Sequence, residues 1–199
     1  MSASQEEIPT ELISRLIPRY AEPHRRYHTW SHVAHVFDAS ERISEDRSLT
    51  LGLAIFFHDA VYRPERTDNE EESARLLLAE GEKARLPPSI LKEAAALVRL
   101  TAHAGSDVDA GERARVLLDA DLSILGAPAD AFEAYERAIA EEYTSVFSPK
   151  EFLVGRKAFL EKLLKREWIF HSERGRRLWE GAARTNIARS IASLVRSDA

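Results

Sequence analysis

Apolar residues recur along nearly the whole chain at intervals of three and four, the spacing that gathers them on one stripe of an α-helix. The pattern predicts helices over about residues 8–19, 28–45, 50–59, 69–85, 88–103, 109–125, 129–146, 149–166 and 172–196. Glycine and proline fall mostly between these segments. Pro87, Pro88 and Ser89 separate two of them, Gly126 and Pro128 two more, and Ser148 with Pro149 starts another in the manner of a cap followed by a first-turn proline. The expected fold is all-α, and a length of 199 residues fits one compact domain spanning 1–199.

One segment departs from the pattern. "LGLAIFFHDAVYRPERTDNEEESA", residues 51–74, runs straight from an oily stretch into His58 and Asp59 and then into the longest irregular connection of the chain. A carboxylate left unpaired beside such a stretch is costly, so a partner is expected. Stepping about 100° per residue identifies further inward polar groups. In "YHTWSHVAHVFDASERI", His32 borders the apolar arc of Val33, Val36, Phe37 and Ile43, His28 lies farther off and His35 farther still. In "ARVLLDADLSILG", Asp121 falls among Leu117, Leu118, Ile124 and Leu125, whereas Asp119 lies nearly opposite.

His32, the His58–Asp59 pair and Asp121 are far apart in sequence and can meet only through the fold, which is how metal sites are built between the helices of a bundle. Two imidazoles and two carboxylates suit a divalent manganese, iron, zinc, cobalt, nickel or magnesium ion. Each residue taken singly is more often a satisfied core group than a ligand. The adjacency of His58 and Asp59 is what raises the metal reading above that.

Composition narrows the chemistry. The absence of cysteine removes thiolate nucleophiles, disulfides and cysteine-held zinc. A net charge of −5 provides no basic surface for duplex nucleic acid. No apolar run approaches the roughly 18 residues of a membrane span, and no secretory leader is evident at the N-terminus, so a cytoplasmic protein is expected. "HTWSH" has Thr29 where a zinc protease carries glutamate, and neither a Gly-x-Ser-x-Gly elbow nor a Gly-rich phosphate loop ending in Lys-Ser/Thr occurs.

The ordered set "EPHRRYHTWSHV", "FFHDAVYRPERTDNEEESA", "LTAH", "LLDADLSILG", "AFEAYERAIAEEY" and "ARTNI" resembles the predicted metal-dependent HD phosphohydrolases of bacteria, within the HD superfamily named for its His-Asp doublet. The resemblance implies an HD-type helical bundle with a core over about residues 20–190. It implies metal ligation by His32, His58, Asp59 and Asp121, with Asp119 as the competing choice for the late ligand or as a group orienting one. It also implies hydrolysis of a phosphate ester, a nucleotide being one candidate, by a metal-activated water.

Asp59 would then also orient the water, and Glu70 would exchange a proton with the leaving group. Thr67 with Glu70 equally fits a helix capping box. His103 is carried over as a second-ion or phosphate group, and His24, Arg25, Arg26 and His28 as groups that either meet the phosphate or form a solvated face. Arg25, Arg156 and Arg184 carry forks suited to phosphate, and Asn186 accompanies Arg184 in "ARTNI". Trp30, Tyr62 and Tyr135 line a pocket or pack the core. Two rivals keep the same residues: a binding module stapled by metal without turnover, and a di-iron oxygenase. A stripe of Ile187, Ile191, Leu194 and Val195 packs either within the chain or against a second copy.

Overall fold

The computed structural model describes residues 8–102 and 111–197. These residues form helices and connections, with no strand among them: α1 (Thr10–Tyr20), α2 (Trp30–Ile43), α3 (Leu49–Phe57), α4 (Asn69–Lys83), α5 (Pro88–Leu100), α6 (Gly111–Leu122), a 3-10 turn (Ser123–Gly126), α7 (Ala129–Tyr143), α8 (Pro149–Leu164), α9 (Glu173–Gly175), a π-helical segment (Arg176–Glu180) and α10 (Gly181–Ser197). The all-α expectation is met. The predicted helix ends at 103 and 109 lie outside the described residues.

The oily run owes its lack of pattern to its position. Helix α3 buries Leu49, Thr50, Leu51, Leu53, Ala54, Ile55 and Phe57, so it has no polar face and serves as the central rod of the bundle. Ser48 caps its start by accepting from the Leu51 N–H. Helix α5 packs along it, α4 packs on α5, and α2 lies against α6. The amphipathic α2 turns His32, Val33, Val36, Ala39, Ser40 and Ile43 inward. Helix α6 is covered on more than one side, burying Val116, Leu117, Leu118, Asp119, Ala120 and Leu122.

The C-terminal third closes the bundle, with α10 packed on α8 and on the 3-10 turn. Helix α8 starts at Pro149 behind Ser148, as expected, and Ser148 with Glu151 forms a capping box there. The single helix expected over 172–196 is instead interrupted by a π-helical segment. There the buried Glu180 carboxylate accepts the Ile169 and Phe170 N–H groups, and Trp179 presses against Gly126. A Cβ on Gly126 would lie 2.5 Å from the Trp179 Cβ and 2.8 Å from its carbonyl oxygen, so only glycine permits this approach. Ile187 is fully buried and Ile191 and Leu194 pack on the core, so most of the C-terminal stripe is used within the chain, while Val195 is half exposed. No helix among the described residues is long and apolar enough to cross a membrane.

Candidate metal centre and its cavity

Three elements bring the polar groups together. His32 stands in the first turn of α2, His58 is the residue that ends α3, Asp59 follows it, and Asp121 stands one residue before the end of α6. His32 Nε2 lies 3.0 Å from His58 Nε2, 3.4 Å from Asp59 Oδ2 and 3.2 Å from Asp121 Oδ1. His58 Nε2 lies 3.1 Å from Asp59 Oδ2 and 3.7 Å from Asp121 Oδ1. Ligands held about 2.0–2.2 Å from one ion stand about 3.0–3.4 Å from their neighbours, so this spacing matches a shared ion. His32, His58 and Asp121 form a group that could hold a metal ion, and Asp59 borders the same space.

The orientation of His58 is fixed chemically. Its Nδ1 lies 2.8 Å from the Ile55 carbonyl oxygen, which can only accept, so Nδ1 carries a proton and the neutral ring would turn its Nε2 lone pair to the cluster. His32 differs, because its Nδ1 is buried without a hydrogen-bond partner among the described residues. Burial opposes charge on both rings, but the carboxylates outweigh it. Hydrogen bonds to Asp121 and Asp59 raise His32, and Asp59 and Asp121 raise His58 to about 9. Burial would push Asp59 up, yet His58, His28 and His32 hold it well below the usual carboxylate range. Without an ion the cluster keeps protons that an ion would displace.

Residues around the cluster hold the backbone that presents it. Arg25 is buried and donates from Nη1 to the carbonyl oxygens of His28 and Asp59 and from Nη2 to that of Ala60, tying the 25–28 turn to the doublet. Its Nε donates to Glu22, and the guanidinium lies over the Tyr20 and Tyr62 rings. Asn69 clamps the connection after the doublet through both the N–H and the carbonyl of Arg63, and Ser73 does the same with Val61.

Sequence reasoning missed Glu142. Its side chain is fully buried; Oε1 accepts the N–H groups of Arg26, Tyr27 and His28, and Oε2 lies 2.6 Å from His28 Nδ1. Burial would raise this carboxyl, but His28 and the backbone donors lower it to about 2. The only hint in the sequence is the doublet Glu141–Glu142 on a helix whose apolar face is otherwise clear.

A cavity of ≈ 580 Å³ opens from the cluster. Asp59 and Asp121 line it, as do His28, Glu70, Tyr62 and Tyr135. Glu70 is thus brought to the site, although Thr67 does not cap the helix: α4 begins at Asn69 behind Asp68, with no side-chain cap bond. Trp30 packs instead against Tyr20 and Phe56.

Several candidates have other employment. Arg184 donates to the carbonyl oxygens of Leu164, Arg166 and Glu167 and pairs with Glu180. Asn186 donates to those of Leu125 and Ala127. Neither Arg25 nor Arg184 is among the residues lining the cavity. His24 Nε2 lies 2.8 Å from the Tyr62 carbonyl oxygen, and His35 Nε2 lies 2.8 Å from Ser123 Oγ. His103 lies outside the described residues.

Asp119, on the opposite side of α6 from Asp121, is wholly buried and accepts the N–H groups of His171 and Ser172 and a hydrogen bond from the Ser172 hydroxyl. Helix α6 is thus covered on more than one face. Asp121 turns to the cluster and Asp119 to the C-terminal segment, which it anchors.

The fold and site thus define an all-α protein with a buried His/His/Asp group that could hold a metal ion. No family model matches the chain, and no curated protein or solved structure matches it either.

Proposed function

We propose that this protein is a metal-dependent phosphohydrolase of the HD type that cleaves a small phosphate ester. One observation carries the reading: His32 Nε2, His58 Nε2, Asp59 Oδ2 and Asp121 Oδ1 converge at ligand spacing, with the lone pair of the neutral His58 ring directed inward, beside an open cavity. A donor set of two imidazoles and two carboxylates suits a borderline or hard divalent cation. Such an ion, when bound, polarises a phosphoryl oxygen and lowers the pKa of water at neutral pH.

The chain's own residues supply the rest. His32, His58, Asp59 and Asp121 hold the ion. Asp59, which also lines the cavity, orients the attacking water and accepts its proton. Glu70, on the same cavity, donates a proton to the leaving oxygen as the ester P–O bond breaks, giving an alcohol and inorganic phosphate. Glu142 fixes the orientation of His28 through Nδ1, and the imidazolium form of the ring donates from Nε2 to a phosphate oxygen.

Elemental analysis of protein purified without chelator, with Asp121→Ala and Asp119→Ala beside it, tests the site. Near-stoichiometric metal, lost in Asp121→Ala and kept in Asp119→Ala, is expected, together with release of phosphate from at least one ester in a broad screen. Wild-type protein that takes up neither manganese, zinc nor iron would overturn the reading.

A further inference from the structure

Among the residues that line the cavity, Arg156 and Tyr27 each carry a buried polar atom that the hydrolytic reading leaves unused. Arg156 is 7% exposed in its side chain and pairs with Glu136, whose second oxygen accepts from Ser190. Its guanidinium carbon lies 5.0 Å from the Tyr135 ring centroid and 5.3 Å from that of Phe159. Arg156 Nε and the Tyr27 hydroxyl are both buried without a hydrogen-bond partner among the described residues. Both residues line the cavity. A buried donor without an acceptor is expensive, and a ligand acceptor relieves it.

Contacts between rings join this end of the cavity to the metal group. The Tyr27 ring lies 4.7 Å from that of His32 and 4.6 Å from that of Tyr135, against which Arg156 packs. A leaving group of one or two rings therefore reaches Arg156 while its phosphate sits at the cluster.

Charge selects what the acceptor can be. The Arg156 charge is already balanced by Glu136, and Arg66, the other arginine on the cavity, is paired bidentately with Asp68. Asp59, Glu70, Asp121 and Glu151 also line the space. A second phosphate at the Arg156 end would meet no unbalanced arginine, whereas a neutral carbonyl oxygen matches a donor that has hydrogen-bonding capacity left but no net charge to offer. The flat faces of Tyr27, Tyr135 and Phe159 favour a planar ring beside it.

Resting on the phosphohydrolase reading, we infer that Arg156 and Tyr27 form a recognition subsite for the leaving group, selecting a phosphate monoester whose leaving group bears a planar ring with a carbonyl oxygen. Arg156 is the specificity-determining residue. A buried donor set of this kind discriminates against analogues that lack the acceptor, because its donors are then left unpaired.

The test compares kcat/KM for uridine 5′-phosphate, phenyl phosphate, glycerol phosphate and ribose 1,5-bisphosphate, and measures calorimetric binding of uridine itself. The variants are Tyr27→Phe, which keeps the ring, and Arg156→Met with Glu136→Gln, which removes both charges together. Circular dichroism melts check their folding. Wild type is expected to favour uridine 5′-phosphate over phenyl phosphate at least tenfold. The double variant should bring that ratio close to one and weaken uridine binding about tenfold, and Tyr27→Phe should reduce both severalfold.

Hydrolysis of all four esters without ring preference, or with the ratio unchanged in the double variant, overturns the subsite and leaves the hydrolase standing. A preference for the bisphosphate overturns it too, because Arg156 would then be taking a second anion. Uridine binding that depends on Arg156, with no ester hydrolysed, supports the subsite and sinks the phosphohydrolase reading. Neither binding nor hydrolysis overturns both.

Discussion

Replacing Glu142 by glutamine isolates the group that holds the 26–28 turn beside the His/Asp cluster. The carboxylate meets three backbone donors and His28 Nδ1 in a fully buried setting, and its pKa falls from 4.5 to about 2. A shift of this size corresponds to roughly 3 kcal/mol of stability carried by the ionised form. Because the folded-state pKa is depressed, that stability is fully present above pH 4.5 and is lost as pH falls through 2. By the same linkage about 1.4 kcal/mol remains at pH 3. Glutamine mimics the protonated acid, so the variant should be less stable than wild type by roughly 3 kcal/mol at pH 7 and by about half of that at pH 3. Urea titrations at the two pH values read the difference directly. A gap below about 1 kcal/mol at pH 7, or one that does not shrink with acid, would show that the backbone donors and His28 do not hold this carboxylate as described.

Asp119→Ala should cost about 3 kcal/mol, since three donors from residues 171 and 172 lose a buried acceptor, and it should retain metal; loss of metal with little change in stability would reverse the division of labour between Asp119 and Asp121. Gly126→Ala drives a Cβ into the Trp179 backbone and should lower stability by about 2 kcal/mol or more, visible as a drop in Tm; an unchanged Tm would mean the π-helical segment yields freely. For protein stripped of metal, His58 is raised from 6.5 to about 9, so its contribution is complete below pH 6.5 and disappears as pH rises through 9. The Tm of stripped protein should therefore fall over that window relative to a His58→Gln variant. Zinc or manganese should restore it more strongly at pH 9 than at 6.5, because less proton is then displaced; restoration independent of pH would argue against ligation by this imidazole.

The parts of this molecule that could be read from the sequence are those governed by local periodicity. Helix spacing reported the all-α fold, and Ser148 and Pro149 announced the start of α8. His58 and Asp59 stood out because α3 is apolar on every side and ends at them. His32 and Asp121 followed from the angular position of each on a helix. That geometry is incomplete where a helix is buried on more than one face: Asp119, nearly opposite Asp121 on α6, is buried as well. It is silent where a charge serves distant backbone. Arg25, Arg184 and Glu142 look like ordinary surface charges, yet each is committed to backbone carbonyls or N–H groups of other segments.

The same distinction explains how the site is organised. The four converging groups hang on short lengths of rigid helix: the first turn of α2, the end of α3 and the end of α6. The two irregular segments beside them, 21–29 and 58–68, lack a helical hydrogen-bond ladder and are held by side-chain bonds to their backbone groups. Glu142 and Arg25 hold the first, and Arg25, Asn69 and Ser73 the second. Arg25 joins both through the His28 and Asp59 carbonyl oxygens, so the turn that offers His28 to the cavity and the turn that offers Asp59 to the cluster are set by one buried guanidinium. A lysine there could not span both carbonyls and Ala60 in a plane, so the position requires arginine even without contact with substrate.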